Sequence, residues 1–154
     1  MILSKKAKYA LRALVLLAKE YGSGPVLISE MAQRERIPKK FLELILLELK
    51  NQGVLQSKKG KGGGYFLGKT PEAITLGQVI RALDGPLAPL PCVSQTAYMK
   101  CEECTDETTC GIRIVMKEVR DATARILDYT SLSDVLKRVE MVANGKREGS
   151  RYSI

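Results

Sequence analysis

The stretch Pro38-Lys39-Lys40-Phe41-Leu42-Glu43-Leu44-Ile45-Leu46-Leu47-Glu48-Leu49-Lys50-Asn51-Gln52-Gly53, running straight into Val54-Leu55-Gln56-Ser57-Lys58-Lys59-Gly60-Lys61-Gly62-Gly63-Gly64-Tyr65-Phe66-Leu67-Gly68-Lys69, decides the fold. Proline fixes φ and lacks an N–H, so Pro38 suits the first position of a helix. Phe41, Leu42, Ile45, Leu46 and Leu49 then fall on the inner side of a helix to about Gln52, leaving Lys39, Lys40, Glu43 and Lys50 for other faces. Gly53 closes it as a C-terminal cap. Residues 54–58 and 65–69 read as two short strands joined by a basic, glycine-rich tip, which makes a hairpin.

Upstream, Tyr9, Leu11, Leu14, Val15, Leu17 and Ala18 mark a largely buried helix over residues 4–21, ended by Gly22-Ser23-Gly24-Pro25. A short helix over 28–34 is buried through Ile28, Met31 and Ala32, and Glu35-Arg36-Ile37 turns the chain into the helix at Pro38. Downstream, Thr75-Leu76-Gly77-Gln78 has the form of a capping box opening a helix that stops at Asp84-Gly85-Pro86. A long helix over 111–127 carries Ile112, Val115, Met116, Val119, Ala122 and Ile126 at coiled-coil-like spacing, and Ser131-Leu132-Ser133-Asp134 opens a short final one. Three helices and a basic hairpin, in that order, predict a mostly α fold with a small β-hairpin wing: a winged helix-turn-helix followed by a long dimerisation helix. The expected organisation is a DNA-binding domain over 1–85, a cysteine-containing sensor loop over 86–110, the dimerisation and short terminal helices over 111–143, and a flexible polar tail over 144–154.

Charge agrees with this division. The formal net charge is +8, yet residues 1–69 hold 14 Lys/Arg against 5 Asp/Glu (+9), and residues 70–154 hold 11 against 12 (−1). A polyanion is the expected partner of the first half, double-stranded DNA before a membrane surface. No segment reads as a signal peptide or a bilayer span, so the expectation is a cytoplasmic protein with no membrane partner.

In a winged helix-turn-helix the second helix of the motif enters the major groove. Lys39, Lys40, Phe41 and Glu43 at its N-terminal end are therefore the candidate DNA contacts, with Lys58, Lys59, Gly60 and Lys61 on the wing. Lysines there hold phosphates and set register, while Glu43 can accept from a cytosine amino group. Each feature alone has a plain explanation: a Lys-Lys pair is usually a solvated face, and a basic glycine-rich turn a flexible loop. Their joint order and the local +9 favour DNA.

Tyr9-Ala10-Leu11-Arg12-Ala13-Leu14, Ile37-Pro38-Lys39-Lys40-Phe41-Leu42-Glu43, Lys61-Gly62-Gly63-Gly64-Tyr65-Phe66-Leu67, Ile74-Thr75-Leu76-Gly77-Gln78-Val79-Ile80 and Asp128-Tyr129-Thr130-Ser131-Leu132-Ser133-Asp134 together resemble the Rrf-type winged helix-turn-helix regulators, the IscR-, NsrR- and CymR-like group. The resemblance covers essentially residues 1–140. It implies a homodimer whose long helices pair and place two reading heads on a palindromic operator.

Cys92, Cys101, Cys104 and Cys110 are spaced C-x8-C-x2-C-x5-C among acidic residues. Four thiolates can complete a tetrahedral zinc site or ligate a [2Fe–2S] or [4Fe–4S] cluster, and spacing alone does not choose. Reduced thiols without a ligand and a thiol/disulfide switch are the other readings. The resemblance implies an iron–sulfur cluster, with Cys92, Cys104 and Cys110 at the family's three ligand positions and Cys101 additional. The histidine of IscR-like members would fall at Arg113, and the chain has no histidine. The aspartate of NsrR-like members would fall at Lys8. Cys101 is the substitute that remains, which predicts an all-cysteine sensor of oxidation, nitric oxide or iron supply.

An enzyme is not expected: there is no histidine, and Gly60-Lys61-Gly62-Gly63-Gly64 lacks the glycine spacing of a phosphate-binding loop. The competing class is an iron–sulfur carrier or assembly adaptor that retains the winged fold.

Overall fold

A computed structural model describes residues 2–151. Helix α1 (Lys5–Lys19) runs through the centre of the first domain and touches α2 (Ile28–Glu35), α3 (Lys39–Asn51), α4 (Leu76–Asp84), α6 (Leu132–Arg151) and the second strand of the wing. It can serve so many neighbours because Ala7, Ala10 and Ala13 are fully buried and lack bulk, letting helices approach closely, while Leu14, Leu16 and Leu17 fill the space between them. Ser4 caps it, its hydroxyl accepting from Ala7 N–H at 3.0 Å. The Ser4 backbone N–H donates to Asp84 at 2.9 Å, which ties the start of α1 to the end of α4.

The turn between α2 and α3 is made by Arg36 in the left-handed region (φ 54°) and held to α1 by Arg12, which donates to the Glu35 carboxylate at 3.3 Å and to its backbone carbonyl. The hairpin is β1 (Leu55–Lys58) against β2 (Gly64–Leu67), antiparallel, with Leu55 opposite Leu67 and Lys58 opposite Gly64. The strands are shorter than the expected 54–58 and 65–69. Gly68 N–H does return to the Val54 carbonyl at 2.9 Å, closing the base of the hairpin outside the ladder. Val26 also exchanges two 2.9 Å hydrogen bonds with Tyr65, anchoring the wing root to the segment before α2. That third pairing carries no alternation and was not predicted.

Thr75 and Gln78 form the expected reciprocal cap of α4. Helix α5 (Gly111–Asp128) packs on α4 and on the 3₁₀ turn Pro91–Val93. Ser131 and Asp134 cap the start of α6, by bonds of 3.1 and 2.9 Å. The short terminal helix and flexible tail expected from composition are corrected here: α6 continues without a break through Asn144 to Arg151. Residues 141–151 contain no proline, and Lys146, Arg147 and Glu148 are good helix formers, so a polar composition did not entail a break. Residues 152–154 of the expected tail lie outside the described residues.

Arg81 on α4 grips Asp128 at the end of α5 with both terminal nitrogens, the longer bond being 2.8 Å. That hydrogen bonding holds the Asp128 carboxyl below the ordinary aspartate range. The pair passes directly over Gly77, where an added Cβ would overlap Asp128 Oδ1. Gly77→Ala is expected to separate α4 from α5 and cost about 1–3 kcal/mol, the usual range for overpacking. Urea unfolding of the two proteins checks this, with Gly85→Ala a poor control because of its positive φ and Gly111→Ala, in open space, a good one.

Candidate nucleic-acid interface and cysteine pocket

The outer face of α3, the wing and the start of α2 enclose a groove of about 450 Å³, lined by Ser29, Lys39, Glu43, Lys50, Lys58 and Lys59. Four lysines face one glutamate. Among the described residues none of Lys39, Lys40, Lys50, Lys58, Lys59 and Lys61 is ion-paired, whereas Lys6, Arg12, Arg34 and Arg81 all are. Glu43 likewise has no cationic partner. The cations in this groove form no ion pair within the chain among the described residues, a property shared with phosphate-binding surfaces.

The fold brings together Lys39 and Glu43 from α3 with Lys58 and Lys59 from the wing. Lys40, Gly60 and Lys61 are exposed but lie outside the groove, the last two at the tip of the hairpin. Phe41 is half-buried, its ring edge-on to Tyr9 of α1 at 5.6 Å and 75°, so it holds α3 against the core. Leu44, 67% exposed, and Leu47, 48% exposed, present the accessible apolar surface of this helix. Lys50 and Ser29 were missed as candidates. Lys39, Glu43 and Lys50 recur at i, i+4 and i+11, one helical face, which was a legible signal for Lys50. Ser29 arrives only through the packing of α2.

The four cysteines line a second cavity, of about 480 Å³, between the loop and the start of α5. Cys92 is buried in the 3₁₀ turn Pro91–Val93, and Cys110 is the N-cap residue of α5. Cys101 and Cys104 end a single turn closed by Cys104 N–H to the Cys101 carbonyl at 3.1 Å. The exposed Cys101 thiol donates to Glu103 at 3.0 Å, and this bond to the protonated form pushes its pKa up. Four thiols are the donor chemistry of a cluster or zinc site, and all four border one space. Among the described residues, however, no three Cys, Asp or Glu side chains converge on one point as a metal ion needs. Arg113, where the resemblance would place a histidine, instead donates its Nε–H to the Cys92 carbonyl at 3.3 Å and fastens α5 to the Cys92 turn. Lys8 lies exposed on α1.

A family model described as Rrf2, iron-dependent transcriptional regulator, matches residues 3–138. The chain belongs to the Rrf2 family. Among its relatives, an rrf2-like HTH-type transcriptional regulator of Rhodobacter capsulatus is 43% identical over 138 residues, covering 88% of this chain and 92% of that one. Among solved structures, CymR, the global cysteine regulator of B. subtilis, superposes with a TM-score of 0.76 at 33% identity over 90% of this chain and 98% of that one. T. potens IscR gives 0.72 at 27% identity over 92% and 90%. The Rrf2 winged-helix architecture, with its hairpin wing and long α5, is therefore that of this transcriptional regulator. Among the described residues no helix is long and apolar enough to cross a membrane.

Proposed function

We propose that the chain is a homodimeric, sequence-specific DNA-binding regulator that reads a palindromic operator through α3 and the wing, under control of the cysteine pocket. The observation that carries the DNA reading is the groove of unpaired lysines shared by α3 and the wing. A recognition helix inserts its N-terminal end into the major groove while the wing follows the backbone. Lys39, Lys58 and Lys59 hold phosphates there, Glu43 accepts from cytosine and Leu44 meets a thymine methyl.

The homodimer rests on α5. Ile112, Val115, Val119 and Ile126 are all exposed on it, and the one buried α5 residue is an arginine, Arg120. A helix that turns its apolar stripe to solvent lacks its partner, and a second copy supplies the same stripe. The symmetry of such a dimer is matched by a palindromic site.

For the sensor, Cys92, Cys101, Cys104 and Cys110 would hold an iron–sulfur cluster, which would supply reversible oxidation and ligand loss as a signal. Reaching that state requires Cys101 to leave Glu103 and turn toward the shared cavity. The Arg113–Cys92 bond passes any rearrangement of the Cys92 turn directly to the start of α5, and so to the spacing of the two reading heads. A thiol/disulfide switch is the second reading, favoured by the placement of Cys101 and Cys104 at the two ends of one turn.

The test is an absorption spectrum with iron, sulfide and zinc analysis on anaerobically purified protein. Visible charge-transfer bands with iron and sulfide in comparable amounts are expected. A colourless protein with one zinc per chain overturns the cluster, and a colourless, metal-free protein that loses two free thiols on mild oxidation selects the switch.

A further inference from the structure

The DNA-reading domain meets the end of α5 at a joint that neither operator contact nor the cysteine pocket explains. Where α5 gives way to α6, Thr75 and Ser131 form an isolated antiparallel bridge. Leu76 N–H donates to the Thr130 carbonyl and Leu132 N–H to the Ile74 carbonyl, each at 2.9 Å. Ile74 and Leu132 are both buried in the core, which holds the bridge from within. The bridge fastens one point, and α4 offers a second. Arg81 lies about 7.5 Å along α4 from Leu76. Its two terminal nitrogens donate to the two oxygens of Asp128 at the end of α5, the longer bond being 2.8 Å. Two such parallel bonds fix orientation as well as distance, because they hold guanidinium and carboxylate in one plane. Gly77 makes the approach possible, since a Cβ there would overlap Asp128 Oδ1.

One fastened point lets a helix swing; two points set its direction. Packing of α5 on α4 does not replace the second point, because helix packing by itself admits crossing angles scattered by about 15–20°. Nor is stability the main effect of the ion pair: the side chains are 32% and 36% exposed, and pairs so exposed stabilise folds only weakly. We propose that Arg81 and Asp128 are positioning residues that set the angle between the DNA-reading domain and α5, and thereby the half-site spacing the dimer accepts. The inference rests on the homodimer in which α5 pairs with its mate, and not on what the cysteines hold. Val115, in the exposed stripe of α5, lies about 20 Å along the helix from Asp128, so a swing of about 10° at the joint displaces it by about 3.4 Å, one base-pair step. Two-fold symmetry applies the same swing to both reading heads.

The probe is a series of duplexes carrying the selected half-sites, moved together or apart one base pair at a time, with the full chain as binder. The native dimer should lose about tenfold in affinity for a displacement of one base pair from its optimum, and Arg81→Gln about threefold or less. Affinity for a duplex with a single half-site should be the same in both, because the reading head is untouched. Arg81→Lys separates orientation from charge: it keeps the cation but not the two-pronged grip, so its spacing profile should flatten as well. Asp128→Asn carries the same test if an Arg81 variant fails to fold, with circular dichroism as the check. A sharp native optimum that persists unchanged in the folded variants overturns the positioning role. So does a folded Arg81→Lys protein with the native profile. A native chain that is monomeric by sedimentation removes the homodimer itself, and this inference with it.

Discussion

Replacing Lys39, Lys58 and Lys59 together by alanine is expected to weaken operator binding about a hundredfold at 0.1 M salt, and to reduce the slope of log K against log salt by about 2.7. The slope is the sharper measure. Each lysine that neutralises a phosphate releases counterions, contributing roughly 0.9 to the slope on duplex DNA, so the loss of three contacts has a defined size. The three side chains are exposed and form no ion pairs within the chain, so their removal should leave folding intact. Anisotropy titrations on a fragment selected from genomic DNA, over a series of salt concentrations, measure both quantities. Lys100→Ala, on the exposed cysteine loop and outside the groove, is the control and should change neither. An unchanged slope in the triple variant would remove the groove as the DNA surface.

Val115→Asp combined with Val119→Asp should convert the dimer to a monomer and cost about a thousandfold in operator affinity. The two valines are 50% and 44% exposed, one turn apart on the solvent face of α5. Apolar side chains so exposed contribute little to the isolated fold, whereas in a paired helix they are the seam. Two buried carboxylates per subunit, four at the two-fold axis, cannot be solvated or paired in such a seam. Linking two half-site contacts typically raises affinity 10²–10⁴-fold through effective concentration, and that gain is what the variant forfeits. Sedimentation equilibrium gives the oligomeric state and circular dichroism the fold. A variant that stays dimeric would place the second copy on another face.

Much of this arrangement was legible from residue pattern because local and global signals agree. The wing was marked by alternating strands around Lys59–Gly64, the recognition helix by Pro38 and the Leu42/Ile45/Leu46/Leu49 stripe, and α4 by its capping box. What was not legible depended on tertiary placement. Phe41 falls beside the basic residues in the sequence, but the 3.6-residue period turns it to Tyr9. The Val26–Tyr65 bridge pairs single residues, which leave no periodic trace. The extension of α6 was hidden because a polar, charged run is compatible with both a solvated helix and a tail. The cysteines were found as a set, but no spacing rule could reveal that Glu103 would hold the Cys101 thiol or that Arg113 would hold the Cys92 turn. Arg120 is a charged residue that no sequence pattern singles out, and only packing shows it buried.

In the proposed mechanism the state of the cysteine pocket controls DNA affinity through α5. The most direct test is anaerobic operator affinity of the purified dimer before and after reconstitution with iron and sulfide, beside a variant with Cys92, Cys101, Cys104 and Cys110 all changed to serine. A change of at least tenfold on reconstitution, about 1.4 kcal/mol of differential binding, is predicted for the native chain and none for the variant. Equal affinities in all four measurements would contradict the account.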